Sequence, residues 1–476
     1  MPTLQADYLV IGAGAVGMAF LDTLVTESEA TVVVVDRGDQ PGGHWNTAYP
    51  FVRLHQPSAY YGVNSLRLDS GRIDTDGLNA GMYELATANE IRAYFDRVMR
   101  ALIATGRVSY FPMSEYDGDG RFTTLAGEQY TVDVARRVVD TTYSNVVVPS
   151  MRPPAWSVAP RVTCVAVNLL PATARGHDRY VIVGGGKTGM DALLWLLRHG
   201  ISPDRITWIV ARDAWLLDRA NVQPGAEFVE QFRASVGART EAIMAATSVP
   251  DLYARLEAGG VLLRLDTNVE PTMYRCATVT QAEVAQLRRV TDVVRLGHVR
   301  SIETDRIELT GGTVPADAAT TLFVDATSDG LRPRPELPVF DGPLITPQSV
   351  RACQQIFSAA FIAHVELAYA DDAVRNDLCQ VIRLPYHWFD WIPMTHGEQR
   401  NEIRWSLEPE LMDWLVGSRL NVLAELFRPA LARPRVRDRA MEMMRGALTA
   451  ANEKLEALAA ELGADHQIGT GASPIG

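Results

Sequence analysis

Two short glycine runs carry the most chemistry in this 476-residue chain. The first reads Gly12-Ala-Gly14-Ala-Val-Gly17 and follows the apolar run Asp7-Tyr-Leu-Val-Ile. In such a GxGxxG turn the first glycine permits the sharp bend, the second lets backbone approach a pyrophosphate, and the third lets helix pack on strand. The helix that follows offers unpaired N–H groups and a partial positive charge to the phosphates. A second apolar run, Thr31-Val-Val-Val-Val, ends in Asp36, an acid placed to accept hydrogen bonds from a ribose diol. Strand, turn, helix, strand and acid in this order predict a dinucleotide site.

The second run, Gly184-Gly-Gly186-Lys187-Thr188-Gly189, follows Arg179-Tyr-Val-Ile-Val and repeats the pattern. Gly186-Lys187-Thr188 suggests a P-loop, but that motif needs a glycine five positions earlier, where Val181 stands. At the end of the next apolar run, Arg205 to Arg212, an arginine replaces the acid. Arg212 can pair with a 2′-phosphate that an acid would repel, which predicts NADPH over NADH; a surface ion pair is the plainer use of the same side chain. Two dinucleotide sites on one chain suggest a hydride donor and an acceptor flavin.

These turns need elements to hold them. Runs apolar on both faces suit parallel strands buried between helices, so the predicted fold class is α/β with two Rossmann-like dinucleotide-binding domains. Asn89 to Thr105 has the spacing of an amphipathic helix, and 107–148 alternates short strands with turns as in an antiparallel meander. Stiff Pro-rich segments at 148–154 and 325–342 mark domain crossings. The expected boundaries are 1–150 for the first part of one domain, 151–330 for an inserted second domain, 331–463 for the return of the first with a helical C-terminal region, and 464–476 for a flexible tail. Helices are expected from Gln348 through Glu366 and from Leu411 to about Leu462.

Beyond Asp36 the chain continues Arg37-Gly-Asp-Gln-Pro-Gly42-Gly43-His44-Trp45, and then Leu54-His55-Gln56-Pro57. Here it resembles the class B flavin monooxygenases, in which a GGxW segment follows the acid of the FAD unit and a Leu-His-x-Pro segment comes soon after. The resemblance covers the first ~65 residues, the unit at 179–212 and the order of domains. It implies FAD at the first turn and NADPH at the second, with the NADPH domain inserted in the FAD domain. It implies reduction of FAD by NADPH, formation of a flavin 4a-hydroperoxide with molecular oxygen, and oxygen transfer to a small molecule. It also implies that Arg37, Gly43, His44 and Trp45 lie along FAD, and that His55 and Gln56 pass near the flavin ring as catalytic candidates. Gln56 is an amide able to donate and accept; His55 can equally be a structural histidine.

Two departures stand against full identity with that family. Its F-x-G-x-x-x-H fingerprint is absent from 155–172, which holds no histidine, and its ATG segments are replaced by Asp140-Thr-Thr-Tyr143 and Asp325-Ala-Thr-Ser328. An NADPH oxidase or dehydrogenase without oxygen transfer is therefore the alternative, and a non-catalytic flavoprotein with a partner-binding helical region a third.

Composition closes off other classes. The net charge of −12 repels phosphate backbones and anionic headgroups, and no apolar run is long enough to span a bilayer, so neither nucleic acid nor membrane is an expected partner. Only two of the 45 basic residues are lysines, Lys187 and Lys454, and the first lies in the second glycine turn. Four cysteines, far apart, form no metal-like spacing and no redox pair close in sequence, and the N-terminus lacks a basic leader. The reading is a cytoplasmic protein of a reducing compartment, without metal. The aromatic segment Leu384 to Trp391 suits a pocket wall or a core, and the helix around Arg435 to Glu461 a homodimer contact or a solvated face.

Overall fold

A computed structural model describes residues 2–328, 330, 332–426 and 434–462; the tail expected at 464–476 lies outside the described residues. Four consecutive valines cannot satisfy one-sided burial, and β2 (Val32–Val35) is accordingly buried on both faces. It pairs in parallel with β1 (Thr3–Ile11), Tyr8 opposite Val32 and Ile11 opposite Val35. Between them α1 (Ala15–Glu27) makes the crossover.

Helix α2 (Ala88–Ala104) starts at a capping box made by Thr87 and Glu90 and buries Ile91, Tyr94, Phe95, Val98, Met99 and Leu102, the expected face. It delivers β3 (Val108–Phe111) parallel to β2. The meander expected from residue 107 therefore begins later, with β4 (Ser114–Gly118), β5 (Arg121–Thr124) and β6 (Gln129–Asp140). The reason is pairing: β3 is claimed by the exposed edge of β2. The long β6 returns beside β1 in parallel and ends at Asp140, level with Ile11.

Strand β7 (Ser157–Val158) joins later strands in a separate four-stranded sheet and takes no part in the second sheet. The main strands of that second sheet are β8 (Cys164–Ala166), β9 (Arg179–Val183) and β10 (Ile206–Ile209), with α3 (Leu170–Thr173) and α4 (Lys187–Arg198) in the connections. After β11 (Ala214–Asp218) the chain runs through α5 (Val229–Ala245), α6 (Val249–Ala258), β12 (Leu262–Leu263), β13 (Met273–Val279) and α7 (Gln281–Leu287). It then returns through β14 (Val293–Val294), β15 (Val299–Ile302), β16 (Arg306–Leu309), β17 (Gly312–Pro315) and β18 (Thr321–Asp325). The parallel order is β14-β10-β9-β18-β8.

Past this unit, β19 (Phe340–Asp341) and β20 (Leu344–Ile345) rejoin the first sheet, with β20 parallel to β6. Helix α8 (Gln355–Ala368) then packs on α1, and residues 8–139 and 339–420 share one apolar core. The second sheet is thus an insertion in the first. Helix α8 starts at Gln355, later than the expected Gln348, because the backbone before it is spent elsewhere: Ile382 N–H donates to Ser349 O and the Asn401 side chain to Val350 O.

A third core was not anticipated. β11, β12 and β13 form their own sheet, and with α5 and α6 they pack against α10 (Trp391–Trp405) and the C-terminal helix Pro434–Glu461, which is preceded by α9 (Asp372–Leu378) and α11 (Pro409–Gly417). Ala451, Leu455 and Leu458 of that last helix are buried in this core, so its apolar stripe is occupied within the chain. Among the described residues no helix is long and apolar enough to cross a membrane.

Candidate functional site

Each glycine turn lies at the carboxyl end of its sheet, and the two are built alike. Gly12 has φ +97° and Gly184 φ +132°, values that exclude an ordinary side chain. A Cβ on Gly17 would come within 2.1 Å of Gly12 O, and one on Gly189 within 2.0 Å of Gly184 O, so the third glycine of each turn is required by packing alone. The middle glycine differs. A Cβ on Gly14 would meet nothing nearer than Gly43 Cα at 3.8 Å, and one on Gly186 would meet nothing within 4 Å. The protein does not need those two to be glycine; a group lying against the backbone there would.

Neither α1 nor α4 has a side-chain cap or an acid in its first turn. Their first amides therefore face outward with the helix dipole behind them. Asp36 reaches back over the first turn: Oδ2 accepts from Ala13 N–H and Oδ1 from Gly38 N–H at 2.6 Å. Arg37 beside it is exposed. Gly42 N–H donates to Ala13 O at 2.8 Å, and a Cβ on Gly43 would lie 3.0 Å from Gly14 Cα, so the 42–45 segment is laid along the turn. His44 stays neutral because burial holds it down to about 4, and Trp45 is anchored by its Nε1–H to Tyr61 OH at 2.6 Å.

The two segments that stand in place of the ATG motif, Asp140 to Tyr143 and Asp325 to Ser328, sit opposite the turns. Asp140 Oδ1 accepts from both the N–H and the hydroxyl of Thr142 at 2.9 and 2.6 Å, and Asp325 Oδ1 does the same for Thr327 at 2.9 and 2.6 Å. The repeated Asp-x-Thr ends β6 and β18 and presses Thr141 Oγ1 and Ala326 O against Gly12 and Gly184.

The segment after the first turn crosses to the second. Tyr49 OH donates to Asp191 Oδ2 at 2.7 Å, and Phe51 lies 5.6 Å from Trp195, both partners on α4. Lys187 Nζ is paired with Asp191, so its charge is balanced from one helical turn away and not left at the mouth of the glycine loop. His55 follows. Its Nδ1 accepts from Thr278 N–H at 3.4 Å, placing any ring proton on Nε2. Burial, then the charges of Lys187 and Arg219, hold its pKa down to about 3. Half-buried Gln56, next to it, makes no side-chain hydrogen bond among the described residues. Arg219, completely buried, donates from Nε to His55 O at 2.9 Å and from Nη2 to Glu283 at 2.8 Å; nothing in the sequence pattern marked it.

A neutral His55 gives a pH prediction. An unfolded histidine protonates near ~6.5, while folded His55 and His44 resist protonation down to about 3 and about 4. Below ~6.5 the unfolded chain binds more protons, so stability is present above that pH and is lost as pH falls toward the folded values. Thermal unfolding followed by calorimetry should show a melting temperature that declines below pH ~6.5. His55→Asn should flatten that decline; an equal slope in the variant would refute the assignment.

Arg212 comes to the second turn through its backbone: a Cβ on Gly185 would lie 3.3 Å from Arg212 O. Its guanidinium lies 4.1 Å over the ring of Tyr386, which Arg275 also approaches at 4.8 Å. The aromatic segment thus divides. Trp391 is core, with Trp388 packed against it, whereas Tyr386 supports Arg212. The cysteines correct the reading of reduced thiols: Cys276 in β13 and Cys353 before α8 form a disulfide across 77 residues, a pairing no short sequence spacing could reveal.

A family model described as an NAD(P)-binding Rossmann-like domain matches residues 10–71, which hold the first turn, Asp36 and His55. Uncharacterized protein Rv2000 of Mycobacterium tuberculosis is 59% identical over 457 residues, covering 96% of this chain and 85% of that protein. Oxidized steroid monooxygenase bound to NADP aligns with 77% of this chain and 85% of its own at 14% identity and a TM-score of 0.48. An open form of cyclohexanone monooxygenase aligns with 76% and 88% at 15% identity and a TM-score of 0.46. Residues 10–71 are thus similar to an NAD(P)-binding Rossmann-like domain, and the chain belongs to the family of the mycobacterial protein Rv2000.

Proposed function

We infer that the chain is an FAD- and NADPH-dependent oxidoreductase of the flavin monooxygenase type, acting on a small molecule with molecular oxygen. One observation carries this reading: two glycine turns of the same build, each with a middle glycine the protein itself leaves open, are tied together by the Tyr49–Asp191 hydrogen bond. FAD, when bound, would supply the redox chemistry between NADPH as hydride donor and oxygen as acceptor. The chain's own part is to bind and orient. Gly12, Gly14 and Gly17 with the first amides of α1 would take the FAD pyrophosphate, Asp36 the ribose, and Gly43, His44 and Trp45 the length of the chain beyond it. Gly184, Gly186, Thr188 and Gly189 with α4 would take the NADPH pyrophosphate. Lys187, already paired, would act through Asp191 and Tyr49, holding the two turns in register. His55, neutral at working pH, offers an Nε2–H donor and no charge, and Gln56 a donor and an acceptor; both would orient groups between the turns.

Anaerobic mixing of the flavin-loaded protein with NADPH should bleach the oxidised flavin band, and readmitted oxygen should yield oxidised substrate. Absence of bleaching would overturn the reading. Hydrogen peroxide formed in place of product would favour an NADPH oxidase, the reading supported by the missing histidine fingerprint in 155–172.

Arg212→Ser should weaken NADPH roughly tenfold to a hundredfold, the range for losing a charge-assisted hydrogen bond, and leave NADH unchanged. Equal losses for both nucleotides in a titration of flavin bleaching would remove the 2′-phosphate role.

A further inference from the structure

Cys276 lies in β13, within the stretch inserted between β6 and β20, and Cys353 in the segment that leads into α8 of the first core, so their disulfide ties one unit to the other. The backbone at both ends of the bond is held where cysteine is disfavoured. Cys276 and Cys353 each have φ +55°, two of the six non-glycine residues at positive φ among the described residues. Residues kept in that region gather at functional sites and switches. Cys276 also stands in a bulge: Trp215 pairs with Tyr274 and Leu217 with Thr278, so Arg275, Cys276 and Ala277 oppose Leu216 alone. Such a bulge re-aims the side chains it carries.

The bulge reaches both halves of the proposed site. Arg275 brings its guanidinium 4.8 Å from the centre of the Tyr386 ring, on which Arg212 of the second turn lies at 4.1 Å. Thr278, two residues past the bond, donates its N–H to His55 Nδ1 at 3.4 Å and accepts at its carbonyl from Arg219 Nη2 at 3.3 Å. Both distances are at the long limit of a hydrogen bond, so a small displacement of β13 breaks them. The other end is anchored, because Val350 N–H donates to Ser358 Oγ of α8 at 3.1 Å.

We propose that the Cys276–Cys353 disulfide is a site of thiol–disulfide exchange that switches the use of NADPH: closed, it holds the β13 bulge with Arg275 at the second turn, and open, it lets that bulge relax. The identity of the nucleotide rests on the function inferred above. Cys353 is half-buried and Cys276 8% exposed, so Cys353 is the more accessible end. A thiolate of a dithiol reductant attacks the Cys353 sulfur; the S–S bond breaks, Cys276 leaves as a thiolate and takes up a proton, and a mixed disulfide forms on Cys353. The second thiol of the reductant then displaces Cys353. Two electrons and two protons pass from the dithiol to the protein, leaving two cysteine thiols and the reductant as a disulfide. Without the bond, relaxation of Cys276 toward ordinary strand geometry carries Arg275 and Thr278 with it.

The test uses the flavin-loaded full chain in three forms: as the disulfide, after anaerobic treatment with dithiothreitol and removal of the reagent, and after reoxidation. Treatment should make the two bonded cysteines reactive toward a chromogenic disulfide reagent. It should also lower the calorimetric affinity for NADPH roughly tenfold, within the range of coupling between sites, while the chain stays folded. Reoxidation should restore the affinity, and Cys353→Ser, which cannot close the bond, should match the dithiol-treated form from the outset. No thiols released from the folded protein, equal NADPH affinity in the closed and open forms, or unfolding on reduction would overturn the proposal, the bond then being a structural staple. Flavin bleaching of the disulfide form reports separately on the inferred function: NADPH bound without bleaching would sink that function and leave the switch in place.

Discussion

Gly186→Ala is expected to abolish saturation by NADPH, lowering its affinity about 100-fold, while moving the melting temperature by no more than ~2–4 °C. The asymmetry follows from what a Cβ would meet. At Gly186 it meets nothing within 4 Å, so the protein tolerates it, at a cost of about 1 kcal/mol for a poorer helix cap. A pyrophosphate lying on the amides of α4 would not tolerate it. Gly189→Ala makes the opposite case, because its Cβ would overlap Gly184 O at 2.0 Å and must open the turn. Gly14→Ala should lose FAD in the same way, with the nearest protein atom 3.8 Å from the new Cβ. The check is equilibrium titration of flavin and nucleotide alongside thermal unfolding. Wild-type NADPH affinity in Gly186→Ala would mean that the second turn is only a strand–helix junction.

Those turns were legible because their glycines are dictated locally. A positive φ at Gly12 and Gly184 and the contacts of Gly17 and Gly189 arise within six residues of sequence, so the motif carries its own geometry. The insertion of one sheet in the other was legible only through the family resemblance; in the structure β20 returns beside β6 and α8 is buried in the first core. Lys187, placed in the second glycine turn, also stands at the i,i+4 spacing from Asp191 that favours an ion pair, and the structure makes that pair.

What escaped the sequence is held by long-range contacts. The third core joins 215–276 to 382–394 and 451–458, segments with no shared motif, and the disulfide follows the same path. The two Asp-x-Thr segments were visible as departures from the ATG pattern, but their role was not, because it depends on β6 and β18 ending against the glycine turns.

Arg219 is the residue on which this long-range part of the site converges. It is completely buried, and its guanidinium is shared among His55 O at 2.9 Å, Asn79 Oδ1 at 3.2 Å, Thr278 O at 3.3 Å and Glu283 Oε2 at 2.8 Å. Arg219→Met would leave the Glu283 carboxylate buried without its cation, which costs about 3–5 kcal/mol of stability. Replacing both partners should recover most of that loss, because removing a whole buried pair is far cheaper than breaking it. Glu283→Gln suits this purpose, since glutamine can still accept the Thr280 N–H that the carboxylate now takes at 2.8 Å. The double variant Arg219→Met/Glu283→Gln should therefore melt close to wild type. It should still reduce flavin slowly with NADPH, because the His55 carbonyl has lost its donor and the segment between the two turns has lost its anchor at that residue. Full recovery of both stability and reduction rate would show Arg219 to be structural only. Recovered stability with a reduction rate still at least ~10-fold low would make it a positioning residue for His55, acting from the β11–β13 side of the site.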